Sequence, residues 1–160
     1  MLFLNIWSDI IRKMKKIIKI LLTAAWMMII FLFSNQPGAE SSVTSNGVGI
    51  WLYSVISYIF NDIGSQSEFL IKYIPLIRKL AHFGEFAVLG VLVKTLSDEY
   101  SFSNKTLYSV LIDVTYACFD EFHQLFVVNR VASIKDVLID SFGVIAGVAA
   151  CHLIYKKWLK

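Results

Sequence analysis

The run LYSVLIDVTYACFDEFHQLFVV, from Leu107 to Val128, decides the fold. It is apolar over most of its length and long enough to cross a bilayer, for which about 20 residues suffice. Near its end stand Asp120, Glu121, His123 and Gln124. Ionisable groups inside a membrane are costly and mark functional sites by default. The same run therefore indicates an architecture and a place to look for chemistry.

Composition points the same way. Of 160 residues, 57% are hydrophobic and 17% charged, and the mean hydropathy is +0.65. A single soluble domain of this size has too little interior for so much apolar side chain. Only helices or closed barrels satisfy the backbone in lipid, and long runs without strict alternation favour helices over barrel strands. The expected fold class is an all-α membrane protein, with four transmembrane helices plus an interfacial amphipathic helix between helices 1 and 2. The net charge of +3 is small. The basic residues form no folded patch interleaved with aromatics, so no nucleic-acid partner is expected. Cys118 and Cys151 sit in apolar runs, where they read as packing residues.

Residues 1–16 read as a basic amphipathic segment on the cytoplasmic surface, 17–155 as the membrane domain, and 156–160 as a basic cytoplasmic tail. The spans are expected at about 17–33, 77–96, 107–128 and 137–155. The first is read as an uncleaved anchor that stops at Pro37-Gly38. Ser41 to Gly47 looks like loop. Val48 to Phe60 is too short to span and places Trp51, Leu52, Val55, Ile56, Ile59 and Phe60 on one stripe, opposite Ser54, Ser57 and Asn61, as an interfacial helix does. With both termini in the cytoplasm, ten of the 15 basic residues fall inside: Arg12, Lys13, Lys15, Lys16, Lys19, Lys94, Lys105, Lys156, Lys157 and Lys160. That bias sets the orientation.

Four polar pieces then fall at one level near the outer face. Ser34 and Gln36 end the first span. His82 and Glu85 stand near the start of the second, and Asp120, Glu121, His123 and Gln124 near the end of the third. Asp136 and Asp140 open the fourth. At about 1.5 Å per residue, His82, Glu85 and Asp120 lie roughly 7–13 Å below the outer helix ends. Arg78, His82 and Glu85 are spaced i, i+4, i+7 and share a face. Asp113, Asp120 and Gln124 share another. Asp136, Asp140, Gly143 and Gly147 share a third, where the small-xxx-small pair admits a close neighbour.

A His beside carboxylates in a partly dry site is equipment for general acid/base chemistry. The pairs His82/Glu85 and Asp120/His123, at i, i+3 on two helices, have a spacing that can serve a metal. No cofactor is expected, and a divalent metal is the lesser reading. Arg78, Lys79 and Arg130 can clamp a phosphate or carboxylate. The competing structural reading is a buried salt-bridge network that only fixes helix register.

The stretches Phe33-Ser34-Asn35-Gln36, Arg78-Lys79-Leu80-Ala81-His82-Phe83-Gly84-Glu85-Phe86 and Asp120-Glu121-Phe122-His123-Gln124-Leu125-Phe126 resemble the VanZ-like membrane protein family. Arg130, Asp136, Asp140, Gly143 and Gly147 continue the pattern, which covers about Ser34 to Gly147. Phe86 stands where a Tyr is common, removing a hydroxyl from any mechanism. The resemblance implies a multi-pass protein of the bacterial cytoplasmic membrane. The founding member is associated with low-level resistance to the glycopeptide teicoplanin. The implied catalytic candidates are His82, Glu85, Asp120 and His123. If the protein is an enzyme, either histidine would be the base, with Glu85 and Asp120 as partners. The implied substrate-binding candidates are Ser34, Gln36, Lys79, Glu121, Gln124, Arg130, Asp136 and Asp140. The partner expected is a membrane lipid or lipid-linked cell-wall intermediate, recognised or modified at the outer leaflet, with teicoplanin tolerance as an indirect outcome. The alternative is a non-enzymatic scaffold that holds a partner helix. A homo-oligomer is compatible with either.

Overall fold

The structure is a computed structural model that describes residues 2–60, 64–101 and 103–158. Asn61, assigned from sequence to the polar side of the interfacial helix, and Lys160 of the tail lie outside the described residues. Five helices and no strand occur among them: α1 Leu2–Ser34, α2 Gly38–Ile59, α3 Gln66–Ser97, α4 Lys105–Gln124 and α5 Ile134–Trp158.

Helix α3 is the centre of the bundle and touches the other four, α5 most extensively. Its first turn is fixed by a capping box. The Glu68 N–H donates to Ser65 Oγ at 3.3 Å and the Ser65 N–H donates to Glu68 Oε2 at 3.1 Å. The Ser65 backbone donor, then its hydroxyl, hold the Glu68 carboxyl below its ordinary pKa. The α3–α5 seam is made by small residues. A Cβ at Gly143 or Gly147 would run into the backbone of Phe83 or Ala87, and one at Gly90 into the backbone of Val144. The helices therefore approach as closely as backbone allows. Ile30, Phe86, Leu89, Val93, Ala117, Val144 and Val148 fill the core beside this seam.

The distribution of polarity is inverted relative to a water-soluble domain. Ile17, Ile18, Leu21, Leu22, Met28 and Leu32 of α1 are exposed, as are Leu111, Ile112, Phe119 and Phe122 of α4. Meanwhile Asp113 and Asp140 are 0% exposed and Asp120 is 1% exposed. An apolar surface over buried carboxylates is compatible with lipid contact.

Several helix bounds differ from the sequence expectations, and the expected four spans are matched in part. Two described helices are long and apolar enough to cross a membrane by length and composition, Ile6–Ser34 and Ile134–Ile154. Helices α3 and α4, the expected second and third spans, are not among them; they carry His82, Glu85, Lys94, Asp113, Asp120 and Glu121, which dilute their apolarity. Helix α1 runs unbroken through residue 16, where a segment boundary was expected. Helix α2 begins at Gly38, not near Val48. Its hydroxyls donate back one turn, Ser42 to the Gly38 carbonyl at 2.7 Å and Ser45 to the Ser41 carbonyl at 2.8 Å, so a loop-like composition is satisfied inside a helix. Residues 66–75, ahead of the expected second span, extend α3 with Pro75 inside it. Helix α4 stops at Gln124 rather than Val128, and Leu125 to Asn129 turn back. There the Gly38 N–H donates to the Val128 carbonyl at 3.1 Å. A side chain at Gly38 would collide with the Asn129 backbone.

Candidate functional site

The polar pieces converge where α1 and α4 stop, α5 has just begun and α3 is part-way along its length. Helix α4 explains which of its residues face inward. Asp113, Ala117, Asp120, Glu121 and Gln124 are buried and lie within one arc of the wheel. Asp120 is the hub of that arc. Its Oδ2 accepts from Ser34 Oγ at 2.7 Å and from Gln124 Nε2 at 3.1 Å, while its Oδ1 is buried without a hydrogen-bond partner. Ser34, at 0% exposure, thus ties the end of α1 to α4.

Arg130 ties the same end to the α4–α5 connection. Its Nε donates to the Gln36 carbonyl and one terminal nitrogen to the Phe33 carbonyl, both at 3.1 Å. The last carbonyls of α1 lack intrahelical partners, and a cation placed there also meets the negative end of the helix dipole. Burial, reinforced by the like charge of Arg78, lowers the Arg130 pKa, and Asp120, Glu121 and Glu85 oppose the shift. The guanidinium stays charged throughout.

Two cavities flank this arginine. The larger, about 340 Å³, opens between α3, the α4–α5 connection and α5. Arg78, Lys79, His82, Glu121, Gln124, Arg130, Asp136 and Asp140 line it, with Ile74, Pro75, Val131 and Ile139 as its apolar wall. The smaller, about 130 Å³, lies between the end of α1, the start of α2 and α3, and is lined among others by Gln36, Ser41, Thr44, Ser45 and Glu85. Arg78, His82 and Arg130 border both cavities and form the wall between them.

Within the larger cavity, Lys79 Nζ pairs with Asp136 Oδ1 at 3.0 Å. Glu121 Oε2 accepts the Ser133 N–H at 3.0 Å. Both oxygens of Asp140 are buried without a hydrogen-bond partner. His82 Nδ1 is 3.9 Å from Glu85 Oε2, an ion-pair distance but too long for a hydrogen bond. That nitrogen is buried and has no hydrogen-bond partner.

Of the sequence-derived candidates, Lys79, His82, Glu121, Gln124, Arg130, Asp136 and Asp140 meet at the larger cavity, and Gln36, His82, Glu85 and Arg130 at the smaller. Ser34, Asp120 and His123 line neither. His123 is turned toward α1, with Nε2 3.2 Å from Asn35 Oδ1 and its ring 4.6 Å from Phe31. On the helical wheel it lies about 100° from the centre of the buried arc. Among the described residues no group of three or more His, Cys, Asp or Glu is arranged to hold a metal ion.

A protein-family model described as VanZ/LLP1 matches residues 19–155, most of the chain. The chain belongs to the VanZ/LLP1 family. No curated protein and no solved structure matches it. The match spans both cavities and leaves residues 2–18 of α1, about five turns, outside.

Some supports at the VanZ/LLP1 site have no sequence signature. The Trp26 indole donates to the Glu85 carbonyl at 2.9 Å, and the Tyr116 hydroxyl to the Met27 carbonyl at 2.7 Å. Both bonds end on backbone, so nothing in the pattern of side chains announces them. Asn35 lies in one of the family-like stretches, but its pairing with His123 depends on the crossing of α1 and α4.

Proposed function

We propose that the chain is a four-span protein of the bacterial cytoplasmic membrane, with both termini cytoplasmic and its paired cavities at the level of the outer leaflet. There it recognises, and in an enzymatic version modifies, an envelope lipid or a lipid-linked cell-wall intermediate through a phosphate or carboxylate head group. In this reading α3 and α4 cross the membrane as the polar-lined interior of the bundle, between apolar α1 and α5. The observation that carries the proposal is the larger cavity, which sets Arg78, Lys79 and Arg130 beside an apolar wall. Cations hold the anionic head group, and the wall accommodates the start of a chain. His82 is the base candidate, because its unpartnered Nδ1 stands near Glu85 at the wall between the cavities. Asp120 is a positioning residue, since its contacts go to Ser34 and Gln124. Tolerance to teicoplanin would follow indirectly, from occupancy or alteration of a cell-wall lipid.

The test is a series of single replacements, Arg78→Gln, His82→Ala and Glu85→Gln. Each is scored for membrane level and for binding of a short-chain phosphate-bearing lipid to the purified full chain. Reduced binding at normal membrane level is the expected result. Wild-type binding by every well-expressed variant would remove the site.

A second reading is a scaffold without a ligand, and it too has an observation in its favour. Arg130 binds helix-end carbonyls, and Lys79 pairs with Asp136, as in a network that sets register. It expects Gly143 and Gly147 to matter more than the charged wall.

A further inference from the structure

The charges around the larger cavity are balanced, and a simple anion does not match them. Lys79 and Asp136 satisfy each other at 3.0 Å. Arg78, which has no hydrogen-bond or ion-pair partner among the described residues, and Arg130 then face Glu121 and Asp140 across the same cavity. Asp140 is 0% exposed, and neither of its carboxylate oxygens has a hydrogen-bond partner. A buried carboxylate in that condition calls for a donor. A phosphate held on the two guanidiniums would approach the acids as a like charge unless it brought a positive group with it.

We infer that the cavity takes a zwitterionic amino-phosphate head group, with the phosphate on Arg78 and Arg130 and a primary ammonium on Glu121 and Asp140. The inference rests on the proposed lipid-binding role and narrows its ligand to one chemistry, that of a phosphoethanolamine group. An ammonium carries three donors, enough to serve both oxygens of Asp140 and the oxygen of Glu121 that Ser133 leaves free. Charge-assisted bonds of this kind separate close analogues by about tenfold or more. Successive N-methylation removes donors while keeping the charge, so the geometry ranks the primary amine above its trimethylated form.

The experiment uses the purified full chain in detergent and native mass spectrometry with short-chain lipids. The probes are dihexanoyl phosphatidylethanolamine, its mono-, di- and trimethylated forms, dihexanoyl phosphatidylglycerol, and water-soluble phosphoethanolamine. The expected order is the primary amine first, affinity falling with each methyl and about tenfold by the trimethyl form. Asp140→Asn should level that series while phosphate-bearing lipids still bind, and Arg78→Gln should weaken all of them. Equal binding of phosphatidylglycerol and phosphatidylethanolamine would overturn the amino-phosphate assignment and leave the lipid site standing. Binding of none would overturn both. The methylation series needs only the wild-type chain, so a variant that fails to fold does not remove the test. Capture of free phosphoethanolamine as tightly as the lipid would place the source in solution and keep the chemistry.

Discussion

The two ends of the bundle carry similar amounts of charge and use it differently. At the end where α3 gives way to α4, the charges close on one another. Lys19 bonds Glu99 and the Thr95 carbonyl, Lys94 pairs with Asp98, Lys105 donates to the Asp98 carbonyl, and Ser109 donates to Ser97. At the opposite end two cavities lie open between guanidiniums and carboxylates, and Arg78, His82 and Asp140 keep polar atoms without partners. Paired charge at one end fixes helix ends; unpaired buried charge at the other is destabilising unless something binds there. The difference is the reason for placing the proposed function at the second end.

The largest effect should come from breaking what both ends share. Gly147→Val drives a side chain into the Ala87 backbone and should cost about 3 kcal/mol or more. The expected readout is loss of folded protein in a thermal melt and a low membrane level. Next is Arg130→Gln, which removes two bonds to the end of α1 and should cost about 2 kcal/mol, with lipid binding reduced as well. Asp140→Asn runs in the opposite direction. It replaces an unpartnered buried carboxylate by a neutral amide, so the melting temperature should hold or rise, by up to about 2 kcal/mol in stability, while head-group discrimination falls. A drop in stability would mean that Asp140 is paired and structural.

The smallest effect is expected at the closed end. Lys19→Met should shift the melt by under about 1 kcal/mol and leave lipid binding untouched. Acid should act there too. Lys19, by its hydrogen bond and then its charge, holds the Glu99 carboxyl below its ordinary pKa. A group with a depressed folded pKa contributes stability above its unfolded value, about 4.3, and loses it as pH falls through the folded value. Wild type should therefore lose more stability than Glu99→Gln on acidification below about pH 4, in paired thermal melts.

Much of the open end was legible because helical phase is simple arithmetic. Arg78, His82 and Glu85 share a face in the sequence and share a cavity in the fold; Asp140, Gly143 and Gly147 point to α3 as their spacing requires. The family resemblance, read from the same motifs, is matched by the family model. What the pattern missed depends on where backbone goes. Ser41 to Gly47 reads as loop because its residues favour turns, yet their hydroxyls find carbonyls one helical turn back. His123 reads as a partner of Asp120 because the two are one turn apart, but α1 draws it toward Asn35 and Phe31. Of the four expected spans, two lie in helices apolar enough by composition; the ionisable residues that make α3 and α4 interesting also make them poor spans by composition.

The central claim is that the open end holds a phosphate-bearing head group on Arg78. It is tested most directly by thermal melts of the purified full chain with and without short-chain phosphatidylethanolamine, wild type beside Arg78→Gln. A ligand that binds only the folded state raises its stability in proportion to the logarithm of occupancy. The account predicts a ligand-dependent rise in the wild type that is lost in Arg78→Gln, with the unliganded melts equal. The same rise in both proteins would contradict it.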